Sequence, residues 1–212
     1  MASSMIHLAV AHEINKKINR DNAQLLIGSI APDISKLVGE NKIKSHFLNS
    51  IDDEIPDMDR FLEKYQKHLD DDFVMGYFIH LYTDYLWYKY FMTQIYNENT
   101  ITKLDGSVYK VTPETYKLYM YNDYTNLNII LLDKHDMDLS IFYNEVPDLK
   151  DIIKEIPMSK INLILESAGV IIENTKVRKD FMFNIDNVEH FIKLATDIII
   201  PEIEKLTLHE SK

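Results

Sequence analysis

A histidine and an aspartate four residues apart interrupt the most apolar stretch of this chain, Gly76-Tyr77-Phe78-Ile79-His80-Leu81-Tyr82-Thr83-Asp84. On a helix that spacing puts both side chains on one face. A carboxylate turned toward an apolar core is costly unless it meets a cation or strong donors. Asp84 therefore asks for a metal ion, or for a neutral His80 that donates to it inside the bundle. The pair alone leaves both readings open.

Further ligands are needed, and Asp33 and His46 stand in turn or aromatic settings, Ala31-Pro32-Asp33 and Ser45-His46-Phe47. Taken singly, each reads as ordinary: an Asp after Pro caps a turn, and a loop His is solvated. The first helix adds His7 and His12. Five residues separate them by about 140° around a helix, so only one can face a shared site. The chain has no cysteine, which leaves imidazole and carboxylate as the strong ligands and restricts any metal to a hard or borderline ion.

The elements that must position these residues read as helices almost throughout. Gly occurs five times and Pro six, and apolar residues recur at three- and four-residue spacing, which predicts an all-α fold of six to eight helices. A length of 212 residues fits a single domain, 1–212, with a core large enough to need no staples. Ser4 is the expected N-cap of a helix from Met5 to Asn19, and Ala23 to Ile30 continues toward Pro32, which bends the chain before Asp33. Residues Lys36 to Ile55 read as loop with a short helical piece near His46. Pro56-Asp57 opens a helix through Leu69, and the Asp70 to Asp72 triplet caps the central apolar helix, about 73–96. Thr102 to Pro113 reads as an excursion with a turn at Asp105-Gly106 and a small hairpin around Val108 to Val111. Helices are expected over Pro113 to Asp133, Met137 to Asn144, Pro147 to Ile156, Met158 to Ile172 and Ile185 to Leu206, with a frayed tail at 207–212.

With 23 basic and 34 acidic residues the formal charge is −11, which repels phosphate backbones and argues against an extended nucleic-acid surface. A phosphate substrate would need a local cation. No stretch reads as a transmembrane segment or a secretory signal, so cytoplasmic location is the default expectation.

Taken in order, the pieces Ile6-His7-Leu8-Ala9-Val10-Ala11, Gly28-Ser29-Ile30-Ala31-Pro32-Asp33, His46-Phe47, and Gly76 to His80 with Asp84 resemble the zinc-dependent phospholipase C family. That family also includes single-strand-specific nucleases and is mostly helical. The resemblance runs from Met5 to Phe91. It implies one complete zinc position from Asp33, His46, His80 and Asp84, and part of a second from His7 with a bridging Asp84. His12 falls outside the match. The family's mature N-terminal tryptophan, a ligand of the second metal, has no counterpart before His7. Tyr90 stands where the family has a further histidine, and no His-x-x-x-Glu follows. Local substitutes for a third metal are Asp123 and Asn126, with Tyr88 and Tyr124 as phenolic donors; the plainer reading is a polar helix face with packed tyrosine rings.

The activity implied is hydrolysis of a small or lipid-like phosphodiester or monoester by a metal-activated water, with Asp33 orienting or deprotonating that water. One or two Zn2+ ions are expected, another divalent ion being the alternative. A second class of reading is a metal-stabilised helical domain without catalysis. A third is a membrane-surface or partner-binding module built on the aromatics of the central helix, and the weakest is a phosphohydrolase using His135-Asp136.

Overall fold

A computed structural model describes residues 1–103, 105–137, 140–173 and 180–208. Its first helix, α1 (Ser4–Ile18), begins one residue earlier than expected, because the Ser3 side chain, not that of Ser4, accepts the amide of Ile6. Asn19 closes it in the left-handed conformation with φ 52°. Helix α2 (Asn22–Gly28) is capped by Asp21 and leads through a 3-10 turn, Ala31–Asp33, into the short α3 (Ile34–Leu37). Pro32 occupies the first turn of that 3-10 element, where a missing N–H costs nothing. The segment around His46 is a series of turns without a helix.

Helix α4 (Met58–Tyr65) is capped by Asp57. Helix α5 (Asp72–Leu86) starts where the Asp71 carboxylate accepts the amides of Phe73 and Val74. The central helix is not α throughout: from Trp87 to Met92 it widens into a π-helix, then closes with α6 (Thr93–Ile95). The wide turns let Trp87 bury its ring against Phe91, Phe183 and Phe191. Insertions of this kind are common near functional sites.

Helices α2 and α5 form the most extensive packing pair in the fold. Their contact is backbone on backbone. A Cβ added to Gly28 would lie 2.2 Å from the Phe73 carbonyl oxygen, and one on Gly76 would lie 2.0 Å from that of Leu25. Only glycine fits at either position, and the close approach carries Ser29 directly under α5.

The excursion after α6 is a three-stranded antiparallel sheet, β1 (Tyr96–Asn97), β2 (Thr100–Thr102) and β3 (Val108–Lys110), with Ile101 opposite Tyr109. Helix α7 (Pro113–His135) follows, its N-cap the Thr112 hydroxyl. Of the helix expected over Met137 to Asn144 only a 3-10 turn, Ser140–Phe142, is seen among the described residues, and 138–139 lie outside them. The helix expected over Pro147 to Ile156 is absent. That segment runs irregularly, held by the Tyr65 hydroxyl, which bonds Glu155 and accepts the amide of Lys154, while Ile153 and Ile156 plug the core. Helices α8 (Asn162–Glu173) and α9 (Ile185–Leu208) complete the chain; α9 packs on α1 and carries Pro201 inside it. The tail from 209 onward lies outside the described residues.

The fold is therefore mostly helical with one small sheet. No helix among the described residues is long and apolar enough to cross a membrane.

Candidate metal centre

Four segments bring His7, Asp33, His46, His80 and Asp84 to one place in the interior. His80 sits on the face of α5 that meets α2, and its Nδ1 donates to the Ser29 carbonyl at 2.7 Å. A carbonyl only accepts, so Nδ1 carries the proton and a neutral His80 presents a bare Nε2 lone pair. His46 is braced by its own neighbour, Nδ1 lying 2.9 Å from the Ser45 hydroxyl. The Tyr77 hydroxyl in turn donates to the Ser45 carbonyl. Such outer hydrogen bonds orient imidazoles in metal sites.

The inward atoms crowd together. His80 Nε2 lies 3.2 Å from His46 Nε2 and 3.7 Å from Asp84 Oδ2. His46 Nε2 is 3.8 Å from Asp84 Oδ2 and 3.6 Å from Asp33 Oδ1. Four ligands bound to a zinc ion at about 2.1 Å in a tetrahedron sit roughly 3.4 Å from one another. These four separations have the scale of neighbouring ligands on one ion, with His46 and His80 lying between the Asp33 and Asp84 carboxylates. Asp84 Oδ2 is buried and has no hydrogen-bond partner, an arrangement that is costly without a cation.

His7 comes from α1 and stacks on His80, ring centroids 3.7 Å apart and planes 11° from parallel. Its Nε2 is 3.3 Å from Asp84 Oδ1, outside hydrogen-bond geometry, and neither of its ring nitrogens has a partner. His7, His80 and Asp84 form one group that could hold a metal ion, and Asp33, His46 and His80 form another. Since His80 has only Nε2 to offer, two ions cannot each take it. Asp84, with two oxygens, is the residue able to bridge. Its Oδ1 also accepts the Ala2 amide at 2.8 Å. The Met1 amine meets the Tyr88 hydroxyl, and the Tyr124 hydroxyl donates to the Met1 carbonyl at 2.8 Å.

The electrostatics keep this set ready to accept a cation. Burial raises the Asp84 carboxyl, but the Met1 amine and the imidazoles of His7 and His80 outweigh it and hold the acid well below the usual range. Burial likewise raises Asp33, and Lys36, 3.2 Å away, together with His46 and His80 brings it well below the usual range. Burial, reinforced by His7, holds His80 well below its usual value despite the two carboxylates. Neutral imidazole and ionised carboxylate are the forms that bind metal.

Other candidates lie elsewhere. His12 is half-buried beside His135, against Lys16 and Glu13, and takes no part. Asp123 and Asn126 are a clasp, not third-metal ligands. The Asp123 carboxylate accepts the amides of Phe181, Met182 and Phe183, and Asn126 donates to Asp180. Their spacing alone leaves both a ligand pair and a polar helix face open, because nothing local reveals that the backbone amides of 181–183 arrive from a distant segment. His135 bonds Glu13 and Glu189 through its two nitrogens. Tyr90 is exposed. Tyr88 and Tyr124 do reach the rim of the centre, through Met1. Sequence reasoning missed Ser29, Tyr77 and Lys36; only Lys36, three residues after Asp33, had a spacing that could have flagged it. Comparison with family models, with characterised proteins and with solved structures finds no match for this chain.

Proposed function

We propose that this chain is a metal-dependent phosphoester hydrolase, with zinc held by Asp33, His46, His80 and Asp84 and a weaker second position formed by His7 and Asp84. The observation that carries the reading is the buried meeting of His80 Nε2, His46 Nε2 and two carboxylates at 3.2–3.8 Å, with Asp84 Oδ2 left without a hydrogen-bond partner. The order of these residues along the chain, similar to that of the zinc-dependent phospholipase C family, supports hydrolysis as the chemistry. Bound zinc supplies a water acidified toward neutrality and a polarised phosphoryl oxygen. Asp33 lines a cavity of about 470 Å3 that opens above the centre, so it is the carboxylate placed to orient an attacking water. Ser29 and Ser45 hold the two imidazoles in their binding orientation.

A second reading, a metal-stabilised domain without catalysis, rests on burial. His7, His80 and Asp84 are 0% exposed, His46 1% and Asp33 6%, as in closed structural sites. Metal analysis of protein purified without chelator or metal-affinity steps, together with assays on a chromogenic phosphodiester and a monoester, separates the two. Bound zinc with turnover of either ester is expected. Bound zinc without turnover supports the structural role, and absence of any affinity for divalent ions would sink both.

A further inference from the structure

The cavity above the centre reverses the charge of the molecule. The chain carries −11 overall, yet Lys36, Lys42 and Lys117 all line this cavity, against Asp33 and Glu54 as its acidic side chains. Asp33 belongs to the buried ligand set, and Glu54 is paired with Lys42. Lys117, exposed on α7, makes no salt bridge among the described residues. Hydroxyls of Tyr88 and Tyr121 add donors to the same wall, and Ile51 and Met120 add apolar surface.

We propose that the three lysines form a rim that receives a terminal phosphate group, so that the substrate is a phosphomonoester on a small, partly apolar alcohol. This rests on the hydrolase reading above and narrows it. A monoester presents three acceptor oxygens and a charge near −2, whereas a diester presents two free oxygens and a single charge. Lys36 and Lys42 are each shared with a carboxylate of the same wall, Asp33 and Glu54, so Lys117 and the tyrosine hydroxyls are the groups with donors to spare, and they complement the more highly charged monoester. Cations clustered at one mouth of an acidic protein also draw the dianion toward that mouth, while the remaining surface repels it.

The test uses the full zinc-loaded chain. Binding of inorganic phosphate is measured by equilibrium dialysis, with methyl phosphate and dimethyl phosphate as competitors, in parent protein and in Lys117→Ala, Lys117→Glu and Lys36→Arg. Lys117→Ala should weaken phosphate binding on the order of tenfold, the size of one charge-assisted contact. Lys117→Glu should weaken it further, Lys36→Arg should retain it, and methyl phosphate should compete at least about tenfold better than dimethyl phosphate. In turnover, 4-nitrophenyl phosphate should be preferred over bis(4-nitrophenyl) phosphate, and Lys117→Ala should erode that preference. Lysine-dependent phosphate binding without hydrolysis of either ester keeps the rim and overturns the hydrolase reading. Equal competition by the two methyl esters, or phosphate binding indifferent to both Lys117 variants, overturns the rim whatever the activity.

Discussion

His80 Nδ1 donates to the carbonyl of Ser29 at 2.7 Å, a bond between a side chain of the central helix and the backbone just past the end of α2. It fixes the tautomer of His80 and aims Nε2 at His46 and Asp84. His80 is thereby the residue shared by both groups that could hold a metal ion, and the first prediction concerns it. His80→Ala should lower bound metal to near the background, whereas His7→Ala should leave the principal ion in place. Asp84→Ala should resemble His80→Ala, because its two oxygens serve both positions. A ligand present at a thousand times its Kd stabilises by about 4 kcal/mol, so the first and last variants should also melt lower than His7→Ala. Elemental analysis per chain and thermal melts check this; full metal content in Asp84→Ala would exclude it as a ligand.

Acid should weaken the metal-free protein in a defined window. The folded-state value of His80 lies well below its ordinary 6.5, so below about pH 6.5 the unfolded chain takes a proton that the folded chain refuses. The stabilising contribution is fully present above that pH and declines as pH falls through it. Asp33 and Asp84, also depressed, add losses only at lower pH, below about 4, as they are protonated. Denaturant midpoints between pH 8 and 5 should fall in the parent and fall less in His80→Gln. Identical slopes would mean that His80 is charged in the folded state.

Asp123→Ala should separate stability from chemistry. Its carboxylate accepts three amides of the 181–183 segment, and leaving buried donors unmet costs about 1–3 kcal/mol each before water or rearrangement compensates. A loss of about 3 kcal/mol with unchanged metal content is expected. A drop in metal per folded chain would restore Asp123 to the ligand set.

Gly76→Ala should destabilise more than a Gly→Ala change with room for the methyl, such as one at the half-buried Gly169. The new methyl would lie 2.0 Å from the Leu25 carbonyl oxygen at position 76, while nothing lies within 4 Å of one at 169. Overpacking of this kind costs about 1–3 kcal/mol or more, and here backbone must move. Chemical denaturation gives the difference; equal stabilities would show that α2 and α5 separate readily.

The helical class and most helix starts were legible because they are local: Asp57, Asp71 and Pro113 each act on residues within one turn. The pairing of His80 with Asp84 was legible for the same reason. Where local pattern and tertiary demand part, the reading failed. Residues 147–156 have helix-like apolar spacing, yet Ile153 and Ile156 are buried from an irregular segment anchored by Tyr65. The widening of the central helix at Trp87 answers to Phe183 and Phe191, about a hundred residues away in sequence. The meeting of Asp33 and His46 with His80 was visible only in the order of short motifs, since no spacing encodes it. Ser29 was invisible altogether, because its functional atom is a carbonyl that every residue owns.

The crossing of α2 and α5 at Gly28 and Gly76 also defines what could be lifted out of this protein and rebuilt elsewhere. A contact of main chain on main chain has no rotamers, so the surrounding core can be redesigned without altering how far Ser29 sits from His80. The portable unit is then two helices clasped at paired glycines, bringing one carbonyl, one imidazole and one carboxylate already in place. His7, His46 and Asp33 are additions that any neighbouring segments of suitable reach could supply. A designer grafting the centre into another bundle would begin with the two residues that have no side chains.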